Sequence, residues 1–431
     1  MHLDIILLRH SIAFVAAPAN GHISVTQMDL SHALLVPLRR TDAQSSLIGT
    51  SDSTRYKYRV GIKANDGRIF CPPFHAPKIM VIDPWAETTT YLSSPKVWPV
   101  NSKAYRSGAL GGDGNIYAIP LNEDYVLKID PITDTASFLA QSYAYSNYLY
   151  DSAVLADNGK IYSPPYSADY VLAVDPVQQR SYTLALSLNV GGQYKTIAKA
   201  GNGKLYAAPF GAKHVLEIDP TTDTATELTD RVFPTGSGAE HYECRDGKIY
   251  AVPSRTDKIL VIDPLTRTSS FLSSPTFTIA SSGGSYATCL AVGGTVIAAP
   301  LQQQDFLKIS NGAATTISYA SQAASYKFRA GVTAADGKAY FLPYGEHSAW
   351  VYDNNAVTVT KVPGATRDIT RAYHAAAAGG DGYAYGIPYD GLKVMKVATA
   401  LPPIAQQVVF VPLDLPKSCL VHPTEGQRAC S

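Results

Sequence analysis

Histidines are the first candidates for chemistry in this chain, and their spacing matches no known catalytic motif. Five of them, His75, His214, His241, His347 and His374, lie in widely separated segments. The sequence has no GxSxG, HExxH or phosphate-binding loop. No cysteine and histidine spacing is typical of zinc. We therefore expect no catalytic residue, no metal ion and no cofactor.

Aspartates form a second candidate set, because one recurs in the tripeptide Ile/Val-Asp-Pro. The recurring residues are Asp83, Asp130, Asp175, Asp219 and Asp263. Carboxylates in series can indicate calcium, but the chain has no D-x-D-x-D-G loop. An aspartate before proline is typical of a residue that caps a tight turn. We therefore predict a structural role for this set.

A repeated segment indicates which elements position these side chains. "DGNIYAIPLNEDYVLKIDP" from residue 113 returns as "NGKIYSPPYSADYVLAVDP" from residue 158 and "NGKLYAAPFGAKHVLEIDP" from residue 202. Eight copies align on a turn dipeptide, with a mean spacing of 45 residues. That period is typical of repeat folds. The copies begin at Asp66, Asp113, Asn158, Asn202, Asp246, Gly293, Asp336 and Asp381.

Each copy predicts four short antiparallel strands. Asp-Gly or Asn-Gly favours a type I′ hairpin turn between the first and second strands. A proline ends the second strand, because it lacks the N–H that a central ladder needs. Asp-Pro predicts a second tight turn between the third and fourth strands. Four-stranded units at this period predict an all-β fold, a β-propeller.

The number of copies predicts eight blades, or seven if one copy is displaced. We assign residues 51–400 to the propeller, and residues 1–50 and 401–431 to terminal extensions that close the ring or dock on another subunit. A terminal strand usually pairs with the last blade; the candidates are residues 33–40 and 406–413. We expect the aromatic residue after each first turn to pack between blades: Phe70, Tyr117, Tyr162, Tyr206, Tyr250, Tyr340 and Tyr385.

Candidate binding residues come from the loops between the second and third strands, because these loops differ in every copy. Binding residues usually lie on variable loops held by a rigid frame; the alternative is ordinary solvated polarity. The candidates are His75, Glu123, Asp124, Asp169, Lys213, His214, Arg255, Asp257, Gln303, Glu346, His347 and Asp390.

The balance of charged residues limits the kinds of partner that we expect. Lys plus Arg is 36 and Asp plus Glu is 35, so a near-neutral chain is not expected to bind nucleic acid or membranes. The apolar run at the start is too short for a signal peptide. We expect Cys71, Cys244 and Cys289 to be buried thiols, whereas Cys419 and Cys430 could form a disulfide.

The module "DGNIYAIPLNEDYVLKIDPITDTASFL" resembles the repeat of streptogramin-lyase-like propellers, which reads Asp-Gly-Asn-Leu-Trp-Phe-Thr-Glu, a gap, and Ile-x-x-Ile-Asp-Pro. The resemblance covers about 330 residues, from 66 to 398, and implies the propeller fold. It also implies a metal-dependent lyase that uses a histidine and a glutamate with magnesium. Proline replaces that glutamate in all eight copies, so no catalytic residue is carried over.

The sequence pattern "NGKIYAxP…VLVIDP" is similar to that of uncharacterised propellers among tailed-phage virion proteins and in some protists.

These observations favour a non-enzymatic scaffold for protein–protein interaction. We expect a structural component of a tailed-phage virion, associated with the tail, nozzle or fibre, which binds other structural subunits through its terminal extensions. Two alternatives stay open. One is a metal-dependent enzyme of the lyase type, and the other is a propeller that binds surface glycans.

Overall fold

The computed structural model describes most of residues 44–399. Within that part it leaves out residues 50–53, 144–147, 185–192, 234–238, 244–246, 255, 274, 278–283, 322, 324, 365 and 368. Before residue 44 it describes three strands, and of these and of residues 239–243 only the backbone. The described residues form strands, turns and loops without a helix, so none of them provides a membrane-crossing helix.

Eight antiparallel sheets of four strands form a ring, which confirms the predicted eight-bladed β-propeller. Seven blades use four strands that are consecutive in the chain, and blade eight borrows its fourth. Blades one to four comprise Ile62–Lys63, Ile69–Cys71, Ile79–Asp83 and Thr88–Leu92; Tyr105–Leu110, Ile116–Pro120, Tyr125–Asp130 and Thr135–Ser142; Val154–Leu155, Ile161–Ser163, Val171–Asp175 and Arg180–Leu184; Ala198–Lys199, Leu205–Ala207, Val215–Asp219 and Thr224–Leu228. Blades five to eight comprise Ala239–Glu243, Ile249–Pro253, Leu260–Asp263 and Thr268–Phe271; Tyr286–Val292, Thr295–Pro300, Phe306–Ser310 and Ala313–Ile317; Phe328–Thr333, Ala339–Pro343, Trp350–Asp353 and Thr358–Lys361; Tyr373–Ala378, Ala384–Pro388, Val394–Ala398 and Gln44–Ile48.

The strand Gln44–Ile48 closes the ring. It pairs antiparallel with Val394–Ala398 and so becomes the fourth strand of blade eight. Neither predicted closing segment supplies that strand, and both lie outside the described residues. The pairing removes the edge that Val394–Ala398 would otherwise expose. Further towards the N-terminus, Asp4–Leu8, Ser11–Ala16 and Ser24–Asp29 form a three-stranded antiparallel sheet of their own.

The hydrophobic core is divided among the interfaces between blades. Each neighbouring pair of blades shares one apolar cluster, including the pair formed by blades eight and one. In that last cluster Ile48 of the closing strand packs with Ile69 and Met80 of blade one and Val394 of blade eight. Burial on both faces explains why the second and third strands are apolar at successive positions.

In six blades the hairpin turn between the first and second strands differs from the predicted type I′. In blade one the N–H of Gly67 donates to the carbonyl of Ala64, and only Gly67, not Asp66, has positive φ. This is a three-residue loop in which a type I turn is followed by a left-handed glycine. The same features recur in the loops that contain Asp113, Asn158, Asn202, Asp336 and Asp381. Gly293 and Gly294 both have positive φ, as a type I′ turn requires.

The recurring aromatic residues and the Asp-Pro turns have the structural roles that the sequence predicts. Tyr117 is buried between blades, and its hydroxyl donates to Asp113 Oδ2 at 2.8 Å. Asp130 Oδ1 accepts the N–H groups of Ile132 and Thr133, at 2.8 and 3.2 Å. We call the face that carries these turns the turn face. These tyrosine and aspartate side chains form hydrogen bonds within that face.

Candidate binding site at the axial mouth

The first strands of the blades line the centre of the ring, where neighbouring first strands contact one another. In four blades the inner strand contains a β-bulge near its start, directly after a buried aromatic residue. In blade seven Phe328 pairs with Pro343, but Ala330 pairs with Leu342, so Arg329 is an extra residue. Blades two, six and eight show the same shift. A bulge turns the extra side chain away from the regular alternation.

Most residues at these bulges are charged. In blades one, three and four the pairing also shifts by one residue after the aromatic residue. We call the residue that follows the aromatic in each described blade a member of the axial ring: Arg59, Arg106, Asp151, Lys195, Ala287, Arg329 and His374. In blade five the strand Ala239–Glu243 pairs with Ile249–Pro253 without a register shift, so that strand contributes no member. The bulges therefore place a charged ring at the centre of the propeller.

Contacts between blades show that members of the axial ring meet. Arg106 Nε of blade two lies 2.5 Å from Asp151 Oδ1 of blade three. Arg59 of blade one donates to the hydroxyl of Tyr389 in blade eight at 2.8 Å. These residues lie near the axis, on the face that carries the loops between second and third strands. We call that face the loop face and this region the axial mouth.

Positive charge dominates the electrostatics of the axial mouth. Burial and the nearby Arg106 lower the pKa of Arg59 to about 10, so the guanidinium is still charged at neutral pH. Burial together with Arg59, Arg329 and Arg106 holds the pKa of His374 well below its ordinary value of 6.5. Burial, Arg59 and Lys103 lower the pKa of His75 to about 4. Both imidazoles are therefore neutral at pH 7.

Aromatic side chains surround this charge. They occupy the first position after the proline that ends the second strand, and they form what we call the aromatic collar: Phe74, Tyr166, Phe210, Tyr344 and Tyr389. Ring centroids are 6.1 Å apart for Tyr166 and Phe210, and also for Tyr344 and Tyr389. Cations of the axial ring lie over these rings, with Arg59 4.1 Å from Phe74 and Lys195 3.9 Å from Phe210. Each such contact contributes about 0.5–1 kcal/mol at an exposed site.

The backbone holds the collar in place by a recurring device. In blade one the carbonyl of Lys57 accepts three successive N–H groups, those of Phe74, His75 and Ala76, at 2.8–3.3 Å. The carbonyl of Gln193 does the same for the loop that begins at Phe210, and that of Lys327 for the loop that begins at Tyr344. The start of each loop is thus tied to the segment that precedes the bulge. Collar and axial ring are positioned by the same few residues, which favours a preorganised site.

Two of the candidate residues predicted from the sequence lie at the axial mouth. His75 stacks on Phe74 with ring centroids 4.5 Å apart, and Tyr56 contacts it edge-on. Asp390 is buried, and its Oδ1 accepts the N–H of Tyr56 at 2.9 Å. Arg55 lies 3.5 Å from the other carboxylate oxygen of Asp390. Tyr56 therefore links these two candidates from blades one and eight.

Other predicted candidates stabilise their own loops. Glu123 is buried and pairs with Lys96 at 2.5 Å, and Glu346 is buried and accepts from Ser321 at 2.9 Å. Gln303 donates to Ser285 at 3.1 Å. These contacts within the described residues are those of structural side chains. Asp124 is partly buried, and its Oδ1 has no hydrogen bond in the described part of the chain.

The remaining candidates lie away from the axial ring or outside the described residues. Asp169 lines a cleft of about 560 Å³ beside Tyr150, Tyr170 and Tyr182, between blades two and three. Lys213, Asp257 and His347 are exposed, and His214 is partly buried against the carbonyl of Arg231. Arg255, Cys244, Cys419 and Cys430 lie outside the described side chains, so the proposed disulfide stays a prediction. Cys71 and Cys289 are buried thiols outside any disulfide.

The structure shows site residues that sequence reasoning missed, although the sequence carries a signal for them. Arg59, Arg106, Asp151, Lys195, Arg329 and His374 each stand eight residues before the glycine of the first turn. The prediction from variable loops covers only polar loop residues, so it omits these six residues and the aromatic collar. Within the described part of the chain, no three histidine, cysteine, aspartate or glutamate side chains are grouped so that they could hold a metal ion.

Comparison with known proteins agrees with the fold. No protein-family model and no curated protein matches the chain. Similar solved structures include a streptogramin B lyase, 13% identical with a TM-score of 0.54, covering 83% of this chain and 98% of that chain. Virginiamycin B lyase from Staphylococcus aureus is 13% identical with a TM-score of 0.52, covering 83% and 99%. The Dos1 propeller is 10% identical with a TM-score of 0.56, covering 82% and 95%.

At these identities the likeness is one of fold. It confirms the predicted resemblance to the propellers of streptogramin lyases. The resemblance to phage propellers is not shown by these comparisons and stays a prediction.

Proposed function

We propose that the protein is a non-enzymatic interaction platform that receives a segment of a partner protein at the axial mouth. The observation that carries this proposal is the aromatic collar around a charged axial ring. Aromatic residues and arginine are the types most enriched where interfaces concentrate their binding energy. On the described part of the turn face, tyrosines and aspartates are bonded to one another.

The construction of the site also supports binding. Phe74, Tyr344 and Tyr389 are buried and packed against one another, so a partner would not need to order them. A preorganised site lowers the entropic cost of association. Tyr166 and Phe210 retain partial exposure and lie at the edge of the collar. They would supply apolar contact area to a segment that crosses the mouth.

The setting we propose for this platform is a tailed-phage virion, with the terminal extensions contacting neighbouring structural subunits. The three-stranded sheet formed by residues 4–29 supports an N-terminal extension that has structure of its own. Capsid and portal genes beside the encoding gene are the expected observation. A neighbourhood without virion genes would contradict the setting without affecting the axial mouth.

Selection from a library of random 12-residue peptides tests the binding proposal. We expect wild-type protein to enrich peptides that bind it in the micromolar range. Tyr389→Ala and Tyr344→Ala should each weaken these peptides by about tenfold or more, since a buried aromatic anchor contributes roughly 2 kcal/mol. Affinity is measured by isothermal titration calorimetry.

The matched control removes an apolar side chain from the turn face. Leu265 is 91% exposed in the Asp-Pro turn of blade five, so Leu265→Ala should leave peptide affinity unchanged. Peptides that depend on Leu265 and not on the collar would contradict the proposal, and so would a library that yields no binder. A glycan array with hits that depend on the collar, together with no peptide binder, would support the glycan-binding alternative instead.

A further inference from the structure

Two guanidinium groups of the axial ring have no anionic partner in the described part of the chain. Arg59 donates to the neutral hydroxyl of Tyr389, and its Nε is buried without a hydrogen bond. Arg329 lies over the ring of Tyr344 with its guanidinium carbon 5.2 Å from the centroid, and its Nε is likewise buried without a hydrogen bond. Neither arginine forms an ion pair there.

Two other cations of the propeller have carboxylate partners. Arg106 pairs with Asp151 at 2.5 Å. Lys396, the central lysine of blade eight, pairs with Glu87 at 2.6 Å. A buried charge that lacks a partner carries a desolvation cost. Stacking on an aromatic face offsets part of that cost but leaves N–H groups at the edge of the guanidinium unsatisfied.

We propose that Arg59 and Arg329 bind a carboxylate carried by an acidic segment of the partner protein. This inference rests on the proposed function, because it names the group that the axial mouth recognises. Guanidinium and carboxylate form charge-assisted, often bidentate, hydrogen bonds. A guanidinium group has five N–H donors, so each arginine has donors for such bonds beyond the contacts described above.

The axial ring itself favours a carboxylate as the ligand group. The Arg106–Asp151 pair shows that the geometry created by the bulges accommodates an arginine and a carboxylate side by side. The ring offers only that one carboxylate among its described members, against three arginines and one lysine: Arg59, Arg106, Arg329 and Lys195, with Asp151 as the acid. A second carboxylate from outside would balance part of the remaining charge.

The rim of the mouth would attract such a segment. Arg371 is exposed with its guanidinium carbon 5.9 Å from the ring of Tyr56, and Lys103 Nζ lies 4.7 Å from the ring of Tyr148. Asp390 is an acidic group of the rim, and Arg55 already lies against it. Positive charge at the entrance of a cleft increases the rate at which an acidic partner associates.

Paired peptides test this inference. Each acidic peptide selected by the wild-type protein is compared with its Glu→Gln or Asp→Asn counterpart, which keeps the shape and removes the charge. We expect the amide peptide to bind about tenfold more weakly, the usual size for a charge-assisted hydrogen bond. Arg59→Gln and Arg329→Gln should each weaken the acidic peptide and reduce the difference between the two peptides.

Arg180→Gln is the matched control, because Arg180 is an exposed arginine that also lies over a tyrosine, at 5.1 Å from the ring of Tyr182. It should leave both affinities unchanged. Equal binding of acid and amide peptides would overturn the inference while leaving the proposed function intact. Failure to obtain any peptide that depends on the collar would overturn the proposed function first.

A measurement on unaltered protein covers the case in which an arginine variant does not fold. Sodium acetate, added at constant ionic strength in place of sodium chloride, should shift the Nε–H NMR signals of Arg59 and Arg329. Signals unchanged by acetate, or shifted by inorganic phosphate alone, would overturn the assignment of a carboxylate ligand.

Discussion

At the scale of single residues, the axial mouth combines charged arginines with imidazoles that are held neutral. His374 and His75 both lie where burial and neighbouring guanidinium groups disfavour a further positive charge. Their rings act as polar, uncharged surfaces at pH 7, beside Tyr389 and Phe74 respectively. The net charge of the mouth therefore comes from arginine and lysine, and it should become more positive only in acid.

The lowered pKa of His75 predicts a dependence of stability on pH. The ordinary pKa of an unfolded histidine is about 6.5, and the folded value is about 4. The unfolded state therefore binds the proton more tightly, so stability is complete above about pH 6.5 and is lost as pH falls towards 4. At pH 4.5 the loss attributable to His75 is about 2–3 kcal/mol. Chemical denaturation of wild type and His75→Phe at pH 7 and 4.5 measures it.

The difference between the two proteins isolates this histidine from the carboxylates, which titrate in both. His75→Phe should lose less stability in acid than wild type does. His347→Phe is the control, because His347 is exposed on the corresponding loop of blade seven. Identical acid sensitivity in wild type and His75→Phe would contradict the buried, neutral imidazole.

At the scale of elements, the β-bulge is the feature that creates the site. Each inner strand would otherwise alternate regularly, and the residue after the buried aromatic would pack between blades. The hydrophobic pattern predicts the second and third strands well, because both faces are buried. It does not reveal the bulge, because Arg59 or Arg329 interrupts a pattern already weakened by small residues such as Gly61 and Gly331.

For the hairpin turns, too, the sequence predicts the position but not the detailed geometry. An Asp-Gly, Asn-Gly or Gly-Gly dipeptide locates each hairpin, but such a dipeptide is compatible with both a two-residue and a three-residue loop. Ala64 and Gly67 are joined across a three-residue loop, whereas Val292 pairs directly with Thr295 around Gly293 and Gly294. The prediction of type I′ turns was therefore wrong for six blades and fits the turn at Gly293 and Gly294.

Two hairpin turns, one in blade eight and one in blade one, contact each other so closely that a substitution there should lower stability. Gly380 of blade eight donates its N–H to the carbonyl of Gly67 in blade one at 3.0 Å. A Cβ at residue 380 would lie 2.5 Å from the Cα of Gly67, so backbone must move. We expect Gly380→Ala to lower the free energy of unfolding by about 1–3 kcal/mol, measured by chemical denaturation.

Gly112 is the matched control, because it occupies the same position of an identical Gly-Gly-Asp-Gly sequence in blade two. A Cβ there would meet nothing within 4 Å. Gly112→Ala should leave stability unchanged within about 0.5 kcal/mol. Equal effects of the two substitutions would show that the contact between blades eight and one does not constrain the ring.

At the scale of the whole molecule, closure produces a ring with two different faces. Eight shared cores and the strand Gln44–Ile48 hold the blades together, and the turn face is satisfied by its own hydrogen bonds. The repeat predicts the ring because its period and turns recur, but the closing strand is not itself a repeat. "QSSLI" has only two large apolar residues, Leu47 and Ile48, so its pairing with blade eight is evident only from the fold.

The axial mouth likewise exists only in the assembled ring. Arg59, Arg329 and Tyr389 come from three different blades, and no local sequence pattern brings them together. Closure places these three blades side by side around the axis. The loop face thereby gains one composite site in place of eight separate loops.

The measurement that tests this account most directly is a crystal structure of the protein with its tightest selected acidic peptide. We predict that the peptide crosses the axial mouth, contacts Tyr344 and Tyr389, and places a carboxylate on the guanidinium groups of Arg59 and Arg329. A peptide bound in the cleft beside Asp169 or on the turn face, with the axial mouth empty, would contradict it.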